Sequence, residues 1–260
     1  MEKEIKNKIE KIDELKSSIS QFEPFDAQIS EHLLKYLDVE LTYNSNAIEG
    51  STLSFEDTKG ILEKGFVYKA TKTREILEVV NHRDALRYIE TLKRKAPYLV
   101  SIEEILNIHR EILKGIDNEF AGKYRNSPVY IRTSEGKIKH FPEFQEVPQL
   151  INNLLNWLRE KEMQLHPVLL ASEFHYRFVA IHPFVDGNGR TSRLLMNLLL
   201  IQAGYPMANI SVKNRSQYIE AIKIADESND MQPFFTVVLD ALIEMLKLYL
   251  ETFEKRIIWK

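Results

Sequence analysis

An all-α fold with one β-hairpin is predicted by three observations. Apolar residues recur at spacings of three and four along most of the chain, helix start and stop signals fall at the ends of those runs, and only one segment sets β-branched residues around a turn. The first run, Ile5, Ile9, Ile12, Leu15 and Ile19, places an amphipathic helix over 3–20. The second extends from about Asp26 to Ile48 through Ile29, Leu33, Leu34, Leu37 and Leu41, with Gly50 as its stop. Ser54-Phe-Glu-Asp57 has the form of a capping box and opens a helix to about Lys64. The next runs from about Thr73 to Lys95, with Ile76, Val80, Leu86 and Ile89 inward, and Pro97 closes it. Ser101-Ile-Glu-Glu104 opens another, to Leu113.

Residues 129–142, VYIRTSEGKIKHFP, break the helical pattern and predict the hairpin. Pro148 restarts a helix to about Glu162, and Pro167 begins an apolar-rich helix to Ile181. After a Gly-rich segment at 186–190, a helix over 191–203 looks buried and is closed by Gly204-Tyr-Pro206. Helices over 215–229 and 233–256 follow. Trp157 and the phenylalanines at 174, 178, 234 and 235 are expected in the core.

A length of 260 residues fits one large domain or two small ones, at roughly 100 to 200 residues each. The 35 basic and 38 acidic side chains leave a formal net charge of −3, which argues against a protein built to neutralise a nucleic-acid backbone. The absence of cysteine removes disulfides, thiolate nucleophiles and Cys-containing zinc sites. The N-terminal segment lacks the apolar stretch of a signal peptide, and the longest apolar run, Leu194 to Ile201, is broken by Asn197 and falls short of the about 20 residues of a membrane span. A cytoplasmic protein without membrane or nucleic-acid partners is expected.

Chemistry concentrates in His182-Pro-Phe-Val-Asp-Gly-Asn-Gly-Arg190-Thr-Ser-Arg193, which joins two apolar helices. Gly187 and Gly189 permit a turn that aims free N–H groups at one point, at the positive end of the following helix, and so suit phosphate. Arg190 and Arg193, three apart, add positive charge to that point. Asp186 is a carboxylate in a phosphate nest, which makes sense if a hard cation such as Mg²⁺ joins it to phosphate oxygens. His182 is the group there able to accept a proton from a hydroxyl near neutral pH.

These twelve residues match the HPFx[DE]GNGRxxR motif, and by it the chain resembles Fic-domain proteins, which transfer AMP from ATP to a hydroxyl side chain of a target protein. The resemblance implies that His182 deprotonates a Ser, Thr or Tyr of the target and that Asp186 binds Mg²⁺. It implies that Asn188 and the amides of Gly187 and Gly189 hold the α- and β-phosphates with help from Arg190, and that Arg193 holds the γ-phosphate. Thr191, Ser192, Ile131 and Arg132 join the expected ATP-binding set, together with Asp226, which stands where such proteins often carry an Asn that contacts the nucleotide. The hairpin takes the place of the family's flap, with Val129, Tyr130, Ile131 and Arg132 lining the edge to which a target segment adds as a strand.

Far upstream, Ser45-Asn-Ala-Ile-Glu49-Gly50 fits the [ST]xxxE[GN] inhibitory motif of the same family, whose glutamate reaches the second arginine and obstructs the γ-phosphate. A carboxylate in the last turn of a helix faces the negative end of the dipole, at a cost of about 0.3–1 kcal/mol unless a cation offsets it. Arg193 is the cation the resemblance supplies for Glu49. The implied organisation is an N-terminal helical region, 1–100, carrying the motif at 45–50; a Fic domain, 101–240; and a helix end, 241–260. A homodimer is a further suggestion of the resemblance. Removal of AMP by the same pocket, and a nucleotide-binding module without turnover, stay open as alternatives. His175 reads as structural, and His32, His82, His109, His140 and His166 have no evident partners in sequence.

Overall fold

The computed structural model describes residues 2–67, 71–93, 100–132, 136 and 138–259. The expected order of elements is present: α1 (Glu2–Ser20), α2 (Ala27–Ile48), α3 (Phe55–Lys64), α4 (Thr73–Thr91), α5 (Ile102–Leu113), β1 (Tyr130–Arg132), β2 (Ile138–His140), α6 (Val147–Lys161), α7 (Pro167–Ile181), α8 (Asn188–Gln202), α9 (Arg215–Ser228) and α10 (Gln232–Lys255). Local chemistry sets the ends. Asp26 accepts from the N–H groups of Gln28 and Ile29 to start α2, and reciprocal capping boxes start α3 at Ser54 and α5 at Ser101. Proline occupies the first turn of α6, α7 and α10, where a missing N–H costs nothing.

The core is built around α7 and α8, which pack against each other, while α4 and α5 cover α8 and α6 covers α7. In α8 the sequence is apolar on every face and each residue from Leu194 to Leu200 is buried, so this helix is the axis of the fold. Its Leu195, Leu198, Leu199 and Leu200 are fully enclosed, each contributing about 1.5–3 kcal/mol of transfer free energy. α1 lies along α10, with Ile5, Ile12, Leu15 and Ile19 buried on its inner stripe. Among the described residues no helix is long and apolar enough to cross a membrane.

Three boundaries differ from the expectations. α8 begins at Asn188 rather than 191, because Gly187 in the left-handed region (φ +77°) turns the chain directly into the helix. α4 ends at Thr91, with Leu92 as its cap; Lys95 and Pro97, where a later end was expected, lie outside the described residues. The hairpin strands are only three residues each, antiparallel, with Ile131 opposite Lys139, so Val129 precedes the strand instead of lining it. Of the expected Ser-Glu-Gly turn, Ser134 and Glu135 lie outside the described residues and Gly136 adopts a positive φ of 78°. Trp157 and Phe235 are only partly buried, whereas Phe174, Phe178 and Phe234 are wholly enclosed.

Because α8 is enclosed on all sides, Leu195→Ala is expected to lower stability by about 2–5 kcal/mol in urea unfolding, against less than about 0.5 kcal/mol for Met163→Ala on the surface.

Candidate active site

The loop between α7 and α8 is held by its own polar groups. His182 caps α7 in the left-handed conformation (φ +52°), uncommon for a residue with a Cβ, and its N–H donates to Phe178 O. The Asn188 side chain closes the turn behind it. Its Oδ1 accepts from the Phe184 N–H at 2.9 Å and its Nδ2 donates to the Phe184 carbonyl at 2.8 Å. The amide expected to bind phosphate is therefore committed to the loop, which leaves Asn188 its main-chain N–H for a ligand. The first hydrogen bond of α8 runs from Thr191 N to Gly187 O, so the N–H groups of Asn188, Gly189 and Arg190 have no acceptor within the helix. Thr191 and Ser192, expected in the nucleotide set, turn inward instead: both are fully buried, and Ser192 Oγ donates to Gly189 O.

His182 presents a constrained imidazole. Its ring stacks on Phe141 with centroids 3.9 Å apart, and its Nδ1 is enclosed beside the Val179 main chain, leaving Nε2 as the other ring nitrogen. Burial lowers its pKa to about 4; the backbone at Val179 opposes this and Lys139 and Arg125 add to it. The ring is consequently neutral near pH 7 and able to accept a proton. Behind the loop, His109, which the sequence left without a partner, stacks on Phe184, approaches Asp186 O at 3.0 Å through Nε2 and accepts from the Gly122 N–H through Nδ1 at 3.0 Å.

Arg193 is 5% exposed, and helix α2 supplies most of its partners. Its Nε donates to Ser45 Oγ at 3.1 Å, its Nη2 donates to Ser45 O at 2.9 Å and to Glu49 Oε1 at 2.7 Å, and its Nη1 lies 3.4 Å from Tyr218 Oη. Burial disfavours its charge, but Glu49 and then Tyr218 hold it protonated. Glu49 caps α2, Gly50 follows at φ +99°, and Arg215 Nε donates to the Ile48 carbonyl at 2.7 Å, a cation at the helix's negative end. The Glu49 carboxylate lies directly over Gly189, so close that a Cβ there would overlap Oε1. An anion thus already stands at the open N-terminus of α8, which is the place the phosphate expectation assigned to a ligand.

Asp186 and Arg190 form the loop's outer wall. Asp186 Oδ2 accepts from Arg74 Nη2 at 2.5 Å, and its Oδ1 lies 2.6 Å from Gly187 N and 3.4 Å from Arg190 Nη2. Burial alone would raise the carboxyl's pKa, but Arg190, the Gly187 N–H and Arg74 together hold it below its ordinary value. Glu78 on α4 accepts from Arg74 Nε at 3.1 Å and approaches Arg190 Nη1 at 3.4 Å, so two guanidinium groups and two carboxylates alternate. A cleft of about 340 Å³ opens here, bounded by Asn46, Glu49, Arg74, Glu78, Asp186 and Arg190. The group suits Mg²⁺ bound with a polyphosphate. Asp186 is ionised and already faces a cation, and among the described residues no cluster of three or more metal-ligating side chains offers a cage without phosphate oxygens.

The hairpin borders His182. Tyr130 and Ile131 are exposed, as is Arg132, giving an open strand edge. Asp226 on α9 pairs with Lys139 of β2 and accepts from Tyr176 Oη at 3.2 Å, so its carboxylate ties the hairpin to the helical core. Beneath Arg193, His175 Nε2 lies 3.0 Å from Tyr218 Oη and 3.2 Å from Ser192 Oγ, which bears out a structural role for this histidine. Burial and then Arg193 keep His175 neutral, its pKa well below the usual value. The structure brings together His182, the loop N–H groups, Arg190, Arg193, Ser45 and Glu49. Sequence reasoning missed Arg74, Glu78, Arg125, His109 and Tyr218, each brought to the site by a partner distant in the chain.

Residues 99–200 match the Fic/DOC family. The chain is 38% identical over 214 residues to the protein adenylyltransferase Fic of Aedes aegypti, covering 82% of this chain and 42% of that one. It therefore spans less than half the length of that relative. A Fic-domain-containing signaling protein from Bacteroides thetaiotaomicron superposes with a TM-score of 0.89 at 28% identity, covering 96% of this chain and 99% of the other. Fic-1 of C. elegans superposes at 0.86 with 28% identity, over 97% of this chain and 74% of its own.

With its pKa near 4, the His182 ring should show no titration between about pH 6 and 8 when its C2 proton is followed by NMR. An inflection near the ordinary value of 6.5 would contradict the buried neutral ring.

Proposed function

Because this chain belongs to the Fic/DOC family, we propose that it transfers AMP from ATP to a hydroxyl side chain of a target protein and is held inactive by Glu49. The observation that carries this reading is the Glu49 carboxylate on Arg193, over the open N-terminus of α8 and beside a neutral His182. Family membership rests on the matched domain and the relatives; the activity is a reading of this chain's own site.

In this reading the target segment adds to the exposed β1 edge and brings its hydroxyl to His182 Nε2. The ring takes the proton as the oxygen attacks the α-phosphorus, and the bond from that phosphorus to the pyrophosphate oxygen breaks. The unpaired N–H groups of Asn188, Gly189 and Arg190 hold the phosphates in place without needing to reorganise. Asp186, freed from Arg74, would hold Mg²⁺, whose charge offsets that of the departing pyrophosphate. Arg193 would take the γ-phosphate, but in the resting protein its Nη2 is shared between Glu49 and Ser45. Glu49 further blocks the approach by setting its own negative charge at the anion site. Residues 1–100 act in this scheme as the regulatory region and 101–240 as the catalytic one.

A second reading, removal of AMP from a modified protein, has Glu49, whose carboxylate stands over Gly189, and the neutral His182 at the other end of the same loop order a water between them. Release of labelled AMP by the wild type, lost on Glu49→Gly, would support it.

With α-labelled ATP and Mg²⁺, Glu49→Gly is expected to raise AMP incorporation at least about tenfold over wild type, equal to about 1.4 kcal/mol of barrier. Adding His182→Ala should lower it by about 10²–10⁴. Equal labelling of all three proteins would overturn these roles.

A further inference from the structure

Arg125, on the connection between α5 and β1, belongs to none of the motifs above, yet it is 3% exposed. Its guanidinium is spent on main-chain oxygens. Nε donates to the His182 carbonyl at 2.8 Å, Nη2 to the Pro142 carbonyl at 2.5 Å, and Nη1 to the Ser127 carbonyl at 3.5 Å. Its own N–H donates to Pro183 O at 2.9 Å. Burial weakens its hold on the proton, and Glu143 offsets this only in part.

The acceptors are not arbitrary positions. Ser127 precedes β1 and Pro142 follows β2, so they are the two roots of the hairpin, while His182 is the residue held at positive φ at the end of α7. Phe141, next to Pro142, stacks on the His182 ring. Backbone and ring of the histidine are thus both fastened to the base of the hairpin, the backbone through one side chain. A buried cation bonded to three main-chain carbonyls is a costly way to close a loop, since apolar packing would do that alone. Diverging donors on a rigid plane, however, fix three chain segments relative to one another, which a flexible ammonium cannot do.

We infer that Arg125 is a positioning residue that sets the hairpin edge, and any strand added to it, at a fixed distance from His182 Nε2. The inference rests on the reading of His182 as the base and of the hairpin as the docking edge, and it assigns Arg125 no contact with nucleotide. A shift of about 1 Å between base and hydroxyl is enough to cost on the order of 100-fold in rate.

The test places Arg125→Ala and Arg125→Lys in the Glu49→Gly protein and measures three quantities: labelling of a target protein, affinity for a non-hydrolysable ATP analogue, and hydrogen exchange at the β1 and β2 amides. Arg125→Ala should label about 100-fold more slowly with unchanged nucleotide affinity and faster hairpin exchange. Millimolar guanidinium should restore much of both effects in Arg125→Ala, and Arg125→Lys should stay impaired. Unchanged labelling and exchange would overturn the inference. So would loss of labelling together with nucleotide affinity and thermal stability that guanidinium does not rescue, since that is the behaviour of a fold clasp. If Glu49→Gly alone fails to label, the transfer reading fails, and hairpin exchange still decides: guanidinium-reversible loosening supports the positioning role and unaltered exchange rejects it.

Discussion

A guanidinium removed from water must keep its donors satisfied, and Arg193 meets that demand largely with another helix. Ser45 contributes both its hydroxyl and its carbonyl, Glu49 adds a carboxylate, and Tyr218 closes the far side. Docking of α2 on α8 and occupation of the anion site are therefore one event. The same carboxylate that completes the arginine's shell lies over Gly189, where no side chain would fit. A triphosphate that is to use Arg193 has to replace an internal anion with one of its own.

The surroundings of Arg193 are unequal in burial. The floor beneath Arg193 is fixed: His175, Ser192 and Tyr218 are enclosed, hydrogen-bonded and neutral, and α8 is buried throughout. Glu49, by contrast, is at a helix end with its side chain 40% exposed, and Arg74 opposite Asp186 is 55% exposed. The Arg74–Asp186 pair, exposed on both sides, is worth about 0–1 kcal/mol and yields to competing charge, whereas Glu49 pairs with a buried guanidinium and is given up at low cost only if another anion takes its place. His182 is held like the floor. Its ring is stacked on Phe141 and its backbone is tied to Arg125, which keeps its position independent of the state of α2.

The fold was legible because most of its signals are local. Capping boxes at Ser54 and Ser101 and the inward stripe of α1 can be read within a single turn or face, and all three occur as expected. The loop's candidacy as the site was legible for the same reason, since His182, Asp186 and two arginines fall within twelve residues. What each residue does with its side chain was less so. Asn188 and Ser192 have the right chemistry for phosphate, but helix geometry turns one onto Phe184 and the other onto Gly189 and His175. Arg74, Arg125 and Tyr218 gave no local signal of a place at the site because the partners that put them there, Asp186, His182 and Arg193, lie 112, 57 and 25 positions away. Glu49 was legible only together with Arg193, 144 residues on, through the pairing of two motifs.

The central claim is that Glu49 and a γ-phosphate compete for Arg193, and calorimetric affinities for ATP and ADP, in the wild type and in Glu49→Gln, address it most directly. ADP lacks the group that needs Arg193, so the wild type should bind the two nucleotides with similar affinity. Loss of the Glu49 charge should strengthen ATP binding by about tenfold more than ADP binding, or about 1.4 kcal/mol. An ATP-to-ADP ratio identical in the two proteins would contradict the claim.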